Sequence, residues 1–177
     1  MLRTRVGYAG GTTPDPTYHS IGDHAEAIDI DFYPTVTRYE ELVAVFFRSH
    51  NPCREAWSTQ YRSAVFPRSK EQREAAEAEA ARVARKSGGA IETGIEDFSG
   101  FTLAEDYHQK YRLRHVPRAL AEFKKQFPSE EAFLGSVAVT RANAFAGGYG
   151  RTEQIRDDLG RLGLSEEGQE ALRRAAR

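Results

Sequence analysis

The sequence has little cysteine, almost no net charge and no long apolar run, and each of these features excludes a class of protein. One cysteine among 177 residues cannot form an internal disulfide. A formal net charge of −1 gives no electrostatic basis for binding nucleic acid or a membrane surface. No stretch approaches the roughly 20 apolar residues of a membrane helix, and the few residues before Gly7 are too short for a secretory signal. We therefore predict a cytoplasmic protein.

The order of predicted elements favours an α+β fold over residues 1–116. We expect a split-βαβ, ferredoxin-like sandwich of two layers. Alternating apolar residues and capping signals define its elements. The predicted strands are Leu2–Tyr8, His24–Tyr33, Tyr61–Phe66 and Ile91–Ile95, and the predicted helices are Thr37–His50 and Ser69–Gly88.

After Pro117 the composition shifts to helix formers, and residues 117–177 are predicted to be a helical C-terminal extension. Its role cannot be read from the sequence. The predicted helices are Arg118–Phe127, Ser129–Phe145, Thr152–Leu159 and Ser165–Ala176.

Four separated motifs carry a family resemblance. They are Val6–Gly11, Gly22–Glu26, Thr59–Ala64 and Ala104–Tyr111. In this order they resemble the A-type peptide methionine sulfoxide reductases. The resemblance implies an oxidoreductase that repairs oxidative damage by thiol-dependent reduction of methionine S-sulfoxide, either free or in oxidised proteins. It also implies a thioredoxin-like reductant and no organic cofactor, because sulfur itself carries out the redox step.

The resemblance assigns catalysis and substrate binding to Tyr8, Glu26 and Tyr61. The chemistry agrees, because a sulfoxide oxygen gains negative charge as its sulfur is attacked and needs hydrogen-bond donors. Two tyrosine hydroxyls and a protonated carboxyl group are such donors. Glu26 shares strand parity with the apolar Ile28, so burial would favour its protonated form.

Structural interpretations of these residues stay open. Tyrosines at strand ends commonly pack a ring and hydrogen-bond through the hydroxyl. Glu26 could equally lie at a frayed strand start and reach water. In the family an aspartate usually lies in the loop before the second tyrosine, five residues earlier, and here that position is Ala56.

Three further residues are candidates for lesser roles. His108 and Asp106 lie in the last motif, and we expect them to position other groups rather than to react. Cys53 is interpreted as an inert apolar residue, a resolving thiol or a nucleophile in its own right. No spacing of histidine and cysteine predicts a metal site.

The family's nucleophilic cysteine belongs to a Gly-Cys-Phe-Trp-Gly motif that precedes the first of the four segments. We therefore expect Met1 to lie downstream of the true start, with a partner chain or the helical tail as the alternative source of the missing strand and helix. The alternative function is an inactive homologue that binds methionine, methionine sulfoxide or a partner protein. The electron donor, the substrate preference and the oligomeric state cannot be read from the sequence.

Overall fold

The computed structural model describes residues 2–150 and 157–176. It divides into two compact units. One unit is Val6–Ala104, and the other consists of the described residues within Met1–Arg5 and Glu105–Arg177. These units are defined by contacts within the chain, and such contacts do not test where an evolutionary domain ends. The predicted division into residues 1–116 and 117–177 therefore stays a prediction.

The strands of the described chain are β1 (Arg3–Ala9), β2 (Ala25–Asp31), β3 (Ala64–Val65), β4 (Gly94–Ile95) and β5 (Phe101–Leu103). One sheet has the order β2-β1-β5, with β1 and β5 antiparallel and Tyr8 opposite Thr102. The second sheet pairs β3 and β4 in parallel. β1 is therefore the central strand of the larger sheet and β2 lies at its edge. The fold is α+β, as predicted.

Two helices build the core of the Val6–Ala104 unit. These are α1 (Tyr39–Ser49) and α2 (Lys70–Ser87). Ser69 begins α2 by accepting a hydrogen bond from the Gln72 backbone N–H, and Gly88 ends it in the left-handed conformation, both as predicted. The predicted start of α1 is wrong by one residue, because Arg38 rather than Thr37 is its N-cap. The buried side chains of this core are Val43, Phe47, Ala76 and Ala80.

The second unit is helical. The helices with both ends among the described residues are α3 (Tyr111–Arg114), α4 (Pro117–Gln126), α5 (Glu130–Gly135), α6 (Val137–Ala146) and α7 (Glu166–Ala175). Their apolar faces and the segment at Leu159 form a core whose fully buried members include Leu113, Phe123, Phe133, Leu159 and Leu172.

One of the helices predicted for this unit is wrong, and another lies largely outside the described residues. The single helix predicted over Ser129–Phe145 is two helices. Ser136 follows α5 in an extended conformation, and its hydroxyl then caps α6 by accepting from the Val139 N–H. The predicted helix Thr152–Leu159 falls largely outside the described residues. Among the described residues, no helix is both long and apolar enough to cross a membrane.

The strand predicted over Tyr61–Phe66 is also wrong in its first half. Thr59–Tyr61 form a 3-10 turn, and only Ala64–Val65 pair as a strand. The backbone N–H of Arg62 closes this turn on the Thr59 carbonyl at 3.2 Å. The turn presents Tyr61 next to β2 instead of within a strand.

Candidate functional site

The glycine-rich loop after β1 is closed by Asp23 and His24. The Asp23 carboxylate accepts hydrogen bonds from the backbone N–H and the hydroxyl of both Thr12 and Thr13, at 2.7–2.9 Å. These bonds, that from the Thr13 N–H first, hold the pKa of Asp23 far below its usual value. The His24 Nδ1 accepts from the Gly11 N–H, so its Nε2 donates to the Thr13 carbonyl. The loop therefore has one defined conformation at its base.

Arg62 joins this loop to the 3-10 turn. One Nη atom donates to the carbonyl oxygens of Asp23 and Thr59, both at 3.1 Å. The other donates to the Gly10 carbonyl at 3.0 Å and, together with Nε, forms a forked ion pair with Glu96. A single guanidinium thus fixes the loop, the turn and the β4 end of the second sheet.

Tyr61 is the predicted site residue with the clearest electrostatic signature. Its side chain is 38% exposed, and its hydroxyl is hydrogen-bonded to the hydroxyl of Tyr18. That bond is the first cause of a raised Tyr61 pKa, followed by partial burial and by electrostatic interactions with Tyr18 and with the Glu26 carboxylate. Tyrosine hydroxyls are protonated at neutral pH, and the raised pKa extends the range in which the Tyr61 hydroxyl is a hydrogen-bond donor to higher pH.

Glu26 lies beside Tyr61, but its surroundings differ from the prediction. Its carboxylate accepts a hydrogen bond from the Gln60 amide at 2.7 Å. The predicted strand parity with Ile28 is right, yet this face of β2 is open: Ile28 is 58% exposed and Glu26 is exposed as well. The predicted burial of Glu26 is therefore wrong, because no described element packs over this face at Glu26 and Ile28.

Tyr8 lies on β1, the strand next to β2, and only 2% of it is exposed. Its ring belongs to the buried part of the unit, so its side chain is ordered. The structure thus brings Glu26 and Tyr61 together on the surface and places Tyr8 in the interior of the neighbouring strand.

The remaining candidates are His108, Asp106 and Cys53, and they belong to different segments of the chain. His108 and Asp106 belong to the helical unit; Asp106 is exposed, and the His108 ring lies 4.2 Å from the Tyr107 ring. Cys53 is an exposed free thiol on the loop after α1, with its backbone N–H donating to the Asn51 side chain. The roles predicted for these three residues stay predictions. In the described ranges, no group of three or more acidic, histidine or cysteine side chains could hold a metal ion.

Sequence reasoning missed four residues of this surface. They are Tyr18, Trp57, Gln60 and Arg62. Gln60 and Arg62 flank Tyr61 within the third motif, which was a usable signal. Tyr18 lies in the loop between β1 and β2, where no periodic pattern of residues indicates which way a side chain points. Trp57 lies in the loop before the 3-10 turn and stacks on Tyr61, a contact that the sequence pattern does not indicate.

Comparison with known proteins shows the family to which the chain belongs. The family model described as peptide methionine sulfoxide reductase matches residues 1–135. A peptide methionine sulfoxide reductase from Nitrobacter winogradskyi is 43% identical over 125 residues, which are 66% of this chain and 69% of that protein. The Drosophila melanogaster enzyme of the same name is 35% identical over 93% of this chain and 67% of its own length. A rice relative, peptide methionine sulfoxide reductase A5, is aligned over 59% of its length.

A solved structure is similar as well. The crystal structure of Mxr1 from Saccharomyces cerevisiae in reduced form superimposes with a TM-score of 0.59 at 31% identity, covering 65% of this chain and 71% of that one. The chain belongs to the peptide methionine sulfoxide reductase family. The resemblance predicted from four motifs is confirmed, and the chain spans about three-fifths to two-thirds of the length of these curated relatives.

Proposed function

We propose that this member of the family reduces methionine S-sulfoxide, peptide-bound or free, to methionine at the expense of thiols. One observation carries the proposal: Tyr61 is 38% exposed, its hydroxyl is hydrogen-bonded to that of Tyr18, and it lies beside the Glu26 carboxyl group. A protonated phenol next to a carboxyl group is suited to an oxygen that becomes negatively charged during reaction.

The hydrogen-bonded hydroxyls of Tyr61 and Tyr18 have one hydrogen left to donate to a ligand. Where two hydroxyls are hydrogen-bonded, one hydrogen bridges their oxygens and the second can be directed to another acceptor. A sulfoxide oxygen next to Tyr61 and Tyr18 is such an acceptor, and it becomes a better one as charge develops on it. We assign Tyr8 the supporting donor from β1 that the family resemblance implies.

The reaction balances with two thiols. A thiolate attacks the sulfur of the sulfoxide, the S–O bond breaks, and oxygen is transferred to the thiol sulfur as a sulfenic acid while the thioether leaves. A second thiol then displaces the hydroxyl group as water and forms a disulfide. The first step needs a proton on the departing oxygen, and Glu26 is the nearby group that can deliver one from solvent.

The thiols themselves are part of the proposal. Cys53 is the one cysteine of the printed sequence and is exposed. We propose a thioredoxin-like dithiol as the external reductant, because a disulfide must be reduced in every turnover. The split-βαβ arrangement of this α+β fold, with a first strand and helix in addition to the described elements, is likewise a proposal.

A direct assay tests this function. The purified chain is incubated with dithiothreitol and N-acetyl-methionine (S)-S-oxide, and the thioether product is quantified by chromatography. The same chain preceded by whatever in-frame codons lie upstream of Met1 in its gene is assayed in parallel, as is the Cys53→Ser variant of each form. We expect thiol-dependent formation of the thioether, and loss of activity in the Tyr61→Phe variant of the active form.

Each outcome assigns a role to a thiol. Activity that Cys53→Ser abolishes makes Cys53 the nucleophile, because dithiothreitol can reduce a sulfenic acid in place of a resolving thiol. Activity only with the upstream codons assigns the nucleophile to that segment. Absence of activity in every form contradicts the reductase proposal and favours a protein that only binds the methionine sulfoxide group.

A further inference from the structure

The side chain of Gln60 holds the carboxylate of Glu26 in one position. The Gln60 amide Nε2 donates to a single carboxylate oxygen of Glu26, Oε1, at 2.7 Å, across 34 positions of the chain. Glu26 is exposed on β2, and an exposed glutamate ordinarily moves among several rotamers. The hydrogen bond selects one of them, because a bond to an ionised acceptor is strong enough to offset the lost side-chain entropy.

The backbone on either side makes Gln60 a fixed donor. Gln60 is the middle residue of the 3-10 turn and is half-buried. The Arg62 backbone N–H closes the turn on the Thr59 carbonyl at 3.2 Å, and an Arg62 Nη atom donates to the same carbonyl at 3.1 Å. Because the turn is held in this way, the amide reaches Glu26 from a defined position.

A donor on Oε1 decides where a protonated Glu26 carries its proton. A carboxylic acid has one oxygen that bears hydrogen and one that only accepts. The Gln60 amide already uses Oε1 as an acceptor, so the proton of a protonated Glu26 resides on Oε2. Without the amide the proton could reside on either oxygen and point in several directions. An acid that is misplaced in this way transfers its proton more slowly.

We propose that Gln60 is a positioning residue for proton transfer: it keeps Oε1 of Glu26 as an acceptor and so assigns to Oε2 the proton that passes to the sulfoxide oxygen. This inference rests on the proposed function, in which Glu26 delivers that proton. In the step the O–H bond at Oε2 breaks, a new O–H bond forms on the departing oxygen, and Glu26 is left as a carboxylate. Because Glu26 is exposed, solvent can restore the proton.

The variant Gln60→Met tests the inference, because it has about the same length and no donor. It is studied in the form of the chain that reduces N-acetyl-methionine (S)-S-oxide. Single-turnover experiments without added thiol give the rate constant of thioether formation and the half-saturating sulfoxide concentration. The rate constant should fall about ten- to hundredfold, because the acid is misplaced. The half-saturating concentration should change less than about threefold, because the substrate contacts remain.

The variant Gln60→Glu gives a signature that a merely structural role of this residue would not produce. At neutral pH its carboxylate repels Glu26, and the rate constant should be as low as in Gln60→Met. At lower pH the two carboxyl groups share a proton, and the protonated one donates where the amide did. Relative to the unaltered chain, the rate constant should therefore recover between about pH 7 and about pH 5 in Gln60→Glu but not in Gln60→Met.

The control is Gln169→Met in the helical unit. It removes an amide donor to the Leu164 carbonyl at 3.0 Å and should leave the rate constant and the saturation unchanged. Circular dichroism checks that each variant is folded, and if Gln60→Met is not, the pH dependence of Gln60→Glu decides alone.

Three results would overturn the inference and leave the proposed function standing. They are a rate constant in Gln60→Met that falls less than about tenfold, a loss confined to the half-saturating concentration, and a rate constant in Gln60→Glu that does not recover at lower pH. If no form of the chain reduces the sulfoxide, the proposed function fails and the inference fails with it.

Discussion

The hydroxyls of Tyr61 and Tyr18 are hydrogen-bonded, and this bond is the main reason for the raised pKa of Tyr61. Tyr18 comes from the loop between β1 and β2, and Tyr61 comes from the 3-10 turn before β3. Two segments far apart in the chain thus meet through one polar contact. The contact fixes the direction of the Tyr61 hydroxyl, on which the proposed site depends.

Removal of the Tyr18 hydroxyl should release Tyr61. In Tyr18→Phe the pKa of Tyr61 should fall towards the usual value of about 10, because the bond that favours the protonated phenol is lost. Titration of the chain with ¹³C-labelled tyrosine rings, followed by NMR, measures this change, and Tyr61→Phe assigns the resonance. An unchanged Tyr61 titration in Tyr18→Phe would mean that burial and nearby charge, rather than Tyr18, set its acidity.

Arg62 should be a major contributor to the stability of the Val6–Ala104 unit. Arg62→Ala removes the donors to the Gly10, Asp23 and Thr59 carbonyls and leaves Glu96 without its partner. We expect a loss of about 2–3 kcal/mol in the free energy of unfolding, because hydrogen bonds to a charged group contribute more than neutral ones. Urea denaturation measures it.

Two further variants separate charge from geometry at this position. Arg62→Lys keeps the charge but not the fork, so it should recover only part of the loss. Arg54→Ala, at an exposed arginine of the neighbouring loop, should change the unfolding free energy by less than about 0.5 kcal/mol. Equal effects of Arg62→Ala and Arg54→Ala would contradict the role given to Arg62.

Gly10 and Gly88 form a matched pair of backbone positions. Their φ angles are +77° and +76°, so alanine pays the same conformational cost of about 1–2 kcal/mol at each. A Cβ at Gly10 would overlap the Phe66 ring and lie 2.6 Å from an Arg62 Nη atom, whereas a Cβ at Gly88 meets nothing within 4 Å. Gly10→Ala should therefore lower the unfolding free energy by about 1–3 kcal/mol more than Gly88→Ala, measured by urea denaturation. Equal losses of unfolding free energy in the two variants would show that the loop at Gly10 accommodates the extra methyl group without cost.

Lys110 in the helical unit is buried, with only 4% exposed. Its ammonium group donates to the Thr4 carbonyl at 2.8 Å, the Thr4 hydroxyl at 3.1 Å and the Thr140 hydroxyl at 2.7 Å. Burial, together with the positive charge of Arg5, lowers the pKa of Lys110 to about 8. The neutral amine therefore forms more readily in the folded chain than in the unfolded one.

This shift predicts stability that rises with pH. Between about pH 8 and about pH 10 the unfolded chain keeps a proton on Lys110 that the folded chain has lost, so the unfolding free energy should increase by about 1–3 kcal/mol. Urea denaturation at several pH values measures the slope. Lys110→Met keeps the apolar stem, removes the titrating group and should flatten the profile. Parallel profiles for the two proteins would contradict the assignment to Lys110.

Local signals predicted much of the fold. Ser69 and Gly88 bound α2 because their capping chemistry acts within a few residues. The alternation around Ile28 predicted β2 and the shared face of Glu26. It could not predict which face is covered, because coverage depends on elements distant in sequence. For the same reason the sequence placed Glu26 in an apolar interior, whereas its carboxylate lies in solvent beside Gln60.

The site was predicted less completely than the fold. Tyr61 was identified through its motif, but the partners that define its chemistry lie elsewhere. Tyr18 is in an irregular loop, and Trp57 lies in the loop before the 3-10 turn Thr59–Tyr61, of which only Tyr61 fell within the predicted strand. Hydrogen bonds and ring stacking between such segments arise only in the folded chain, so no spacing rule indicates them.

The most direct test of the account observes the tyrosine hydroxyls while a sulfoxide binds. The chain carrying ¹³C-labelled tyrosine rings is titrated with N-acetyl-methionine (S)-S-oxide, and with N-acetyl-methionine as the comparison ligand. We predict saturable shifts of the Tyr61 and Tyr18 resonances with the sulfoxide, much smaller shifts with the thioether, and loss of the response in Tyr61→Phe. Sulfoxide binding that leaves both resonances unmoved would contradict the claim that these hydroxyls hold the oxygen.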